Sequence, residues 1–181
     1  MPYEVSSLHL HAFIEAAKKV GAWEGAQPHL DLRVRMQLVD LQSKRWLPGA
    51  LLQAVSAAIV KGSGDDVLDR LNYVMTRESL SRVLLPVVRI ALTLSGSSPA
   101  TIFSRMQDLS RVATRGVTTS WEANGENRGI VKVTYPEPPA HTVHIGWRGV
   151  FRFAFELTGK IGTLTHANYE GSSVYMHVSW Q

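Results

Sequence analysis

The chain contains no cysteine. That absence excludes a disulfide framework, a thiolate zinc centre, an iron–sulfur cluster and a cysteine nucleophile, and it fits a reducing, cytoplasmic setting. Long apolar runs are missing too. The richest stretch, Val83–Leu94, is interrupted by Pro86 and Arg89 and falls short of a membrane span. The opening MPYEVSSLHLHAF has no basic segment followed by an apolar core, so it does not read as a signal peptide. The net charge is +4, but Lys and Arg are scattered, with no dense basic cluster and no aromatic ladder between them. Nucleic acid is therefore not the expected partner. There is also no glycine-rich phosphate loop behind a strand, no Gly-x-Ser-x-Gly elbow and no His-Glu-x-x-His pair. No catalytic residue can be named, and an enzyme is not the favoured reading.

What is present is ordinary for a globular protein. The 181 residues, 45% apolar and 19% charged, suffice for one packed domain and are too few for two comfortable ones. The first two-thirds carries helical periods. Apolar positions form a stripe over Ser7–Lys19, with Gly21 as a stop, and Asp31–Asp40 opens on a capping residue. Pro48 suits the start of a helix that Gly62-Ser63-Gly64 ends. Asp65–Met75 begins with acidic residues, Glu78–Leu94 reads as an apolar helix kinked at Pro86, and Ala100–Thr114 follows a Ser98-Pro99 start.

After Gly116 the period becomes two. Val117–Ala123 and Ile130–Tyr135 flank the turn Asn124-Gly125-Glu126-Asn127, His144–Thr158 is an amphipathic helix, and two further strands flank Glu170-Gly171-Ser172. The expected fold is α+β: a helical part over 1–115 packed on a four-stranded antiparallel ββαββ sheet over 116–181, in a single domain.

The last hairpin invites a test of register. A turn at Gly171-Ser172 puts Tyr169 opposite Val174, Ala167 opposite Met176 and Thr165 opposite Val178, which leaves His166 facing His177 on the other side. Directly opposed β-carbons lie about 5 Å apart, close enough for two imidazoles to share a metal. A stable zinc site needs three or four ligands, and this pair supplies two. No metal site is therefore assigned, and His166 and His177 stay as candidates only. His141 and His144 can join them only if the fold brings separate segments together. Asp65, Asp66 and Asp69 make an acidic helix face, and Ser95-Gly96-Ser97-Ser98 reads as a helix break followed by a cap.

The order of elements resembles the fold shared by haem nitric-oxide/oxygen-binding domains, the 4-vinyl reductase ligand-binding domain and TRAPP trafficking subunits. The segments RWLPGALLQAV, SSPATIFSRMQDLSRVATRG and GWRGVFRFAFELTG, with the closing M-x-V-S-W strand, also resemble small myxobacterial proteins over about residues 46–180. The resemblance implies a cleft between helices and sheet. It also implies an axial histidine in the helical layer of the haem-binding members, yet residues 30–140 contain none. The 4-vinyl reductase group is similar in carrying cysteines near its final hairpin, and this chain has none. Neither metal chemistry carries over, so no cofactor is expected.

The expected function is a non-enzymatic sensory or regulatory module that binds a small apolar ligand or a protein partner in the cleft. Trp121, Tyr135, Trp147, Phe151, Phe155 and Met176 are the candidate lining residues. Two alternatives are a homodimeric interaction or scaffold protein using the apolar Leu84–Leu94 helix, and a metal-dependent enzyme built from His141, His144, His166 and His177.

Overall fold

The computed structural model describes residues 1–41, 44–83 and 98–181, with side chains as far as 79 in the middle segment. The expected Leu84–Leu94 helix, with its Pro86 kink, and the Ser95-Gly96-Ser97 break lie outside the described residues.

Strand β1 (Glu4–Ser6) runs straight into α1 (Ser7–Lys19). Ser6 caps that helix, its Oγ accepting from the His9 N–H at 3.2 Å, and Lys18 and Lys19 sit in the last turn, where the helix dipole favours cations. Next come α2 (Trp23–Ala26), a 3₁₀ turn (Gln27–His29) and α3 (Leu32–Val39), which Asp31 caps by accepting from the Val34 N–H at 2.7 Å. Strand β2 (Trp46–Pro48) leads into α4 (Gly49–Ser63). Gly64 then turns the chain at φ 86°, and α5 (Asp65–Val83) starts with two acidic residues in its first turn.

The sequence reading broke α5 between Met75 and Glu78, but it runs through without interruption. Thr76 and Arg77 offer nothing that stops a helix, and Thr76 is buried. The opposite holds for Ala100–Thr114, which is two short helices, α6 (Pro99–Ser104) and α7 (Met106–Ser110). Arg105 leaves the helical region between them (φ −101°, ψ 1°), and this bend lets both Phe103 and Met106 reach the same core.

A short β3 (Thr114–Arg115) returns to pair with β1, giving a small antiparallel sheet in the order β2-β1-β3 that the sequence reading did not contain. The Arg115 guanidinium lies 4.0 Å from the centre of the Trp46 ring and pins the two outer strands together.

The main sheet follows: β4 (Thr118–Ala123), β5 (Arg128–Thr134), then α8 (Val143–Leu157), β6 (Gly162–Glu170) and β7 (Ser173–Trp180). It is four-stranded and antiparallel, in the order β4-β5-β7-β6, so the α+β architecture with a ββαββ sheet stands. In the last hairpin Gly171 takes φ 55° at the first position of the two-residue turn, as a primed turn requires. The pairs Tyr169–Val174, Ala167–Met176 and His166–His177 form as the arithmetic gave them. Beyond His166 the expected register fails: a bulge at Thr165 places Leu164 opposite Val178. The extra residue aims an apolar side chain at the core where strict alternation would have aimed a threonine.

The inner face of the sheet (Val131, Val133, Val174, Met176, Val178) is fully buried. Its direct cover is α8, through Phe151 and Phe155, with α6 and α7 over β4. Helix α5 packs on the other side of α8, and α1 and α4 pack on α5. There are consequently two apolar cores, one among α1–α5 and one on the sheet. Helix α8 serves both, giving Ile145 to the first and Phe151 to the second. Its charged stripe faces α5: Arg148 and Arg152 reach Asp69 at 3.4 Å, and Arg148 reaches Asp66 at 3.3 Å. The acidic face read from the sequence is thus the seam between α5 and α8. Among the described residues no helix is long and apolar enough to cross a membrane.

Candidate ligand-binding cleft

Between the two cores lies a cleft of about 720 Å³, inside the range that drug-sized ligands occupy. Helices α1, α4 and α5 form one wall, and α6, α7 and α8 the other. The lining is mostly apolar, with Phe13, Leu68 and Met75 on the first wall facing Ile102, Met106, Trp147 and Phe151 on the second.

Tyr135, Trp147 and Phe151, three of the six side chains singled out in the sequence, line this cleft together. The Trp147 and Phe151 rings lie 6.0 Å apart, and the Trp147 indole N–H donates to the Tyr135 hydroxyl at 3.3 Å. Tyr3, which the sequence reading left out, meets Tyr135 edge-on at 5.4 Å. Burial pushes the Tyr135 hydroxyl up to about 12, partly opposed by its bond from Trp147, and pushes Tyr3 up as well. Both phenols therefore stay neutral. Trp121, Phe155 and Met176 sit elsewhere, in the sheet core around Phe103 and Trp180. Phe155 shares a face of α8 with Phe151 but sits one turn further along, against Phe103 and Trp180, and the pleat turns Trp121 and Met176 toward α6 and α8.

A residue outside the six singled out in the sequence is more informative. His9 lies on the wall formed by α1, surrounded by protein, with part of its surface open to the cleft. Its ring makes no hydrogen bond among the described residues, although its backbone N–H is taken by the Ser6 cap. Burial pulls the imidazole from its ordinary 6.5 down to about 4. The signal was available: His9, Phe13 and Ala16 share one helical stripe, and His9 is its polar member.

This shift has a sign that can be checked. A histidine whose folded pKa is depressed leaves the unfolded state binding more protons between the two values. Its contribution is complete above about pH 6.5 and is lost as pH falls toward 4. His144, also lowered by burial against a bond to the His141 carbonyl, acts in the same direction. Denaturant unfolding at pH 7 and pH 4.5 is expected to show that His9→Leu loses less stability on acidification than the parent, by up to about 3 kcal/mol. An equal loss in both proteins would remove His9 as the cause.

The remaining histidines do not converge. His166 and His177 face each other across β6 and β7 with ring centres 5.9 Å apart. His141 and His144 gather at the start of α8 around Tyr169, whose hydroxyl donates to the His141 carbonyl at 2.7 Å and meets His144 Nδ1 at 2.8 Å. Tyr169 pairs with the fully buried Val174, so this cluster lies on the α8 side of the sheet, and the His166–His177 pair lies on the opposite face. Among the described residues no group of three or more potential ligands could hold a metal ion. The alternative of four histidines meeting at one centre is thereby overturned.

No protein-family model matches this chain, and no curated protein matches it. Solved structures do match. The fold is H-NOX-like. The unliganded Fe(II) H-NOX protein from K. algicida aligns with a TM-score of 0.65 at 9% identity, covering 97% of this chain and 96% of that one. An oxygen-binding H-NOX domain related to soluble guanylate cyclases, in its oxygen complex, gives 0.60 at 5% identity over 97% and 94%. At such identities the likeness establishes the H-NOX fold and nothing of its chemistry.

H-NOX proteins imply haem, so the cleft must be tested for it. Its described lining includes two histidines, His9 and His11, both on α1, and residues 30–140 supply none. No described lining side chain is a lysine or arginine. The charged ones are Glu15 and Glu78, each ion-paired with a lysine, Lys18 and Lys19 respectively. A porphyrin carrying two carboxylates would meet carboxylates there and no described cation. The residues present do not fit haem held in the H-NOX manner.

Proposed function

We propose that this chain is a non-enzymatic sensory or regulatory module, a single domain over residues 1–181, that takes a small apolar ligand in the cleft. That cleft lies between two helical walls and not, as the sequence reading had it, between helices and sheet. The observation that carries this reading is the cleft itself: about 720 Å³ of mostly apolar space between two separately packed cores in an H-NOX-like fold. Tyr135, Trp147 and Phe151 form its aromatic wall. A cytoplasmic setting is part of this proposal, and a chain without cysteine suits a reducing compartment. A protein partner is the other occupant proposed for this cleft; the homodimeric scaffold reading rested on a helix that lies outside the described residues.

The uncharged dye Nile red is the direct test. Uptake with a blue-shifted emission is expected in the parent and reduced uptake in Trp147→Ala. In a thermal-shift screen of uncharged apolar compounds, a ligand at a hundred times its Kd adds about 2.7 kcal/mol, a rise of roughly 5–10 °C in Tm for a chain of this size. A parent protein that excludes the dye and responds to no compound would end the proposal.

A further inference from the structure

The cleft has a chemical polarity of its own. Most of its wall can only exclude water and fill space, as Ile102, Met106, Trp147 and Phe151 do. On the α1 wall the His9 ring opens into this space without a hydrogen-bond partner among the described residues. Asn72, a polar side chain of the α5 wall, is already committed, its amide donating to the Leu68 carbonyl at 2.8 Å. A neutral imidazole offers one N–H donor and one nitrogen acceptor, which together match a hydroxyl group. The ring is half-buried, so a ligand hydroxyl that pairs it adds the net gain of one hydrogen bond.

Charge narrows the choice further. Burial opposes protonation of His9, so its ring meets a ligand as a neutral group. The charged side chains of the described lining are the carboxylates Glu15 and Glu78, already paired with Lys18 and Lys19. An anionic head group would find no described cation to neutralise it, and would have to recharge His9 against its own burial. Resting on the cleft reading above, we propose that the ligand is an uncharged amphiphile, an apolar body ending in a hydroxyl, which the His9 imidazole holds.

Displacement of Nile red by 1-decanol and by decanoate at pH 7.4 tests this, in the parent, His9→Leu and His9→Gln. The parent is expected to bind decanol at least tenfold more tightly than decanoate. His9→Leu should keep the dye but lose about tenfold in decanol affinity, the equivalent of one hydrogen bond. His9→Gln, which retains a donor and an acceptor, should stay within about threefold of the parent. If the dye enters but decanoate binds as well as decanol, or His9→Leu binds decanol like the parent, this assignment fails while the cleft reading survives. Exclusion of the dye by the parent fails both. Should His9→Leu not fold, the decanol-to-decanoate ratio of the parent and the behaviour of His9→Gln still decide.

Discussion

Phe103→Ala is expected to lower the unfolding free energy by about 3–5 kcal/mol, the usual cost of deleting a buried ring. Phe103 is 1% exposed, and four rings surround it: Trp121 at 5.1 Å, Phe151 at 5.4 Å, Phe155 at 5.8 Å and Trp180 at 6.0 Å. These belong to β4, α8 and β7, so a single side chain of α6 ties that short helix into the sheet core. Edge-on and tilted ring pairs add to the burial itself. The vacated space adjoins the cleft, which Phe103 also lines, so Nile red uptake should rise as stability falls. Guanidinium unfolding followed by tryptophan fluorescence measures the first effect. A loss below about 1 kcal/mol would show that the surrounding rings collapse into the gap and that Phe103 is not the joint described.

The second large effect is at Gly149, on the face of α8 that meets α5. A β-carbon there would stand 2.4 Å from the Asp69 carbonyl oxygen, 2.6 Å from the Tyr73 nitrogen and 2.9 Å from the Asn72 β-carbon. Two of these are backbone atoms inside a helix and cannot swing away. Gly149→Ala is expected to cost about 1–3 kcal/mol, because α8 must move off α5. Its control is one turn away. At Gly146 the nearest atoms to an added β-carbon are 3.5 Å off, in the Asn72 side chain, so Gly146→Ala should be neutral or gain up to about 1 kcal/mol from helix propensity. Equal effects at the two positions would contradict the close approach. Displacing α8 should also weaken ligand uptake at Gly149, since Trp147 and Phe151 ride on the same helix.

Much of this was legible wherever a local cause acts alone. The α1 boundaries follow from an apolar stripe, a capping serine and Gly21, none of which needs the rest of the chain. The inner faces of β5 and β7 follow from strict alternation in strands flanked on both sides. The small sheet was out of reach, because strands of two or three residues show no period and their partners are distant in the chain. The β6 bulge was hidden for a related reason: sequence alternation cannot show where one residue is doubled against its partner. At the candidate site, aromatic content picked out Tyr135, Trp147 and Phe151, which the fold places along one cleft. It could not divide them from Trp121, Phe155 and Met176, because a side chain that lines a cleft and one that fills a core obey the same periodicity. His9 was readable as the polar member of a buried stripe, but its weight appears only when the opposite wall is seen to be almost wholly apolar.

Strand β7 comes last in chain order yet lies inside the sheet, hydrogen-bonded to β5 on one side and β6 on the other. Translation therefore delivers the β4–β5 hairpin, α8 and β6 before the piece that unites them. Throughout that interval β5 presents a free row of backbone donors and acceptors, the kind of ledge on which extended segments of other chains add themselves. A polypeptide cut short of Ser173 would keep that ledge permanently, and clumping through it is the failure this topology invites.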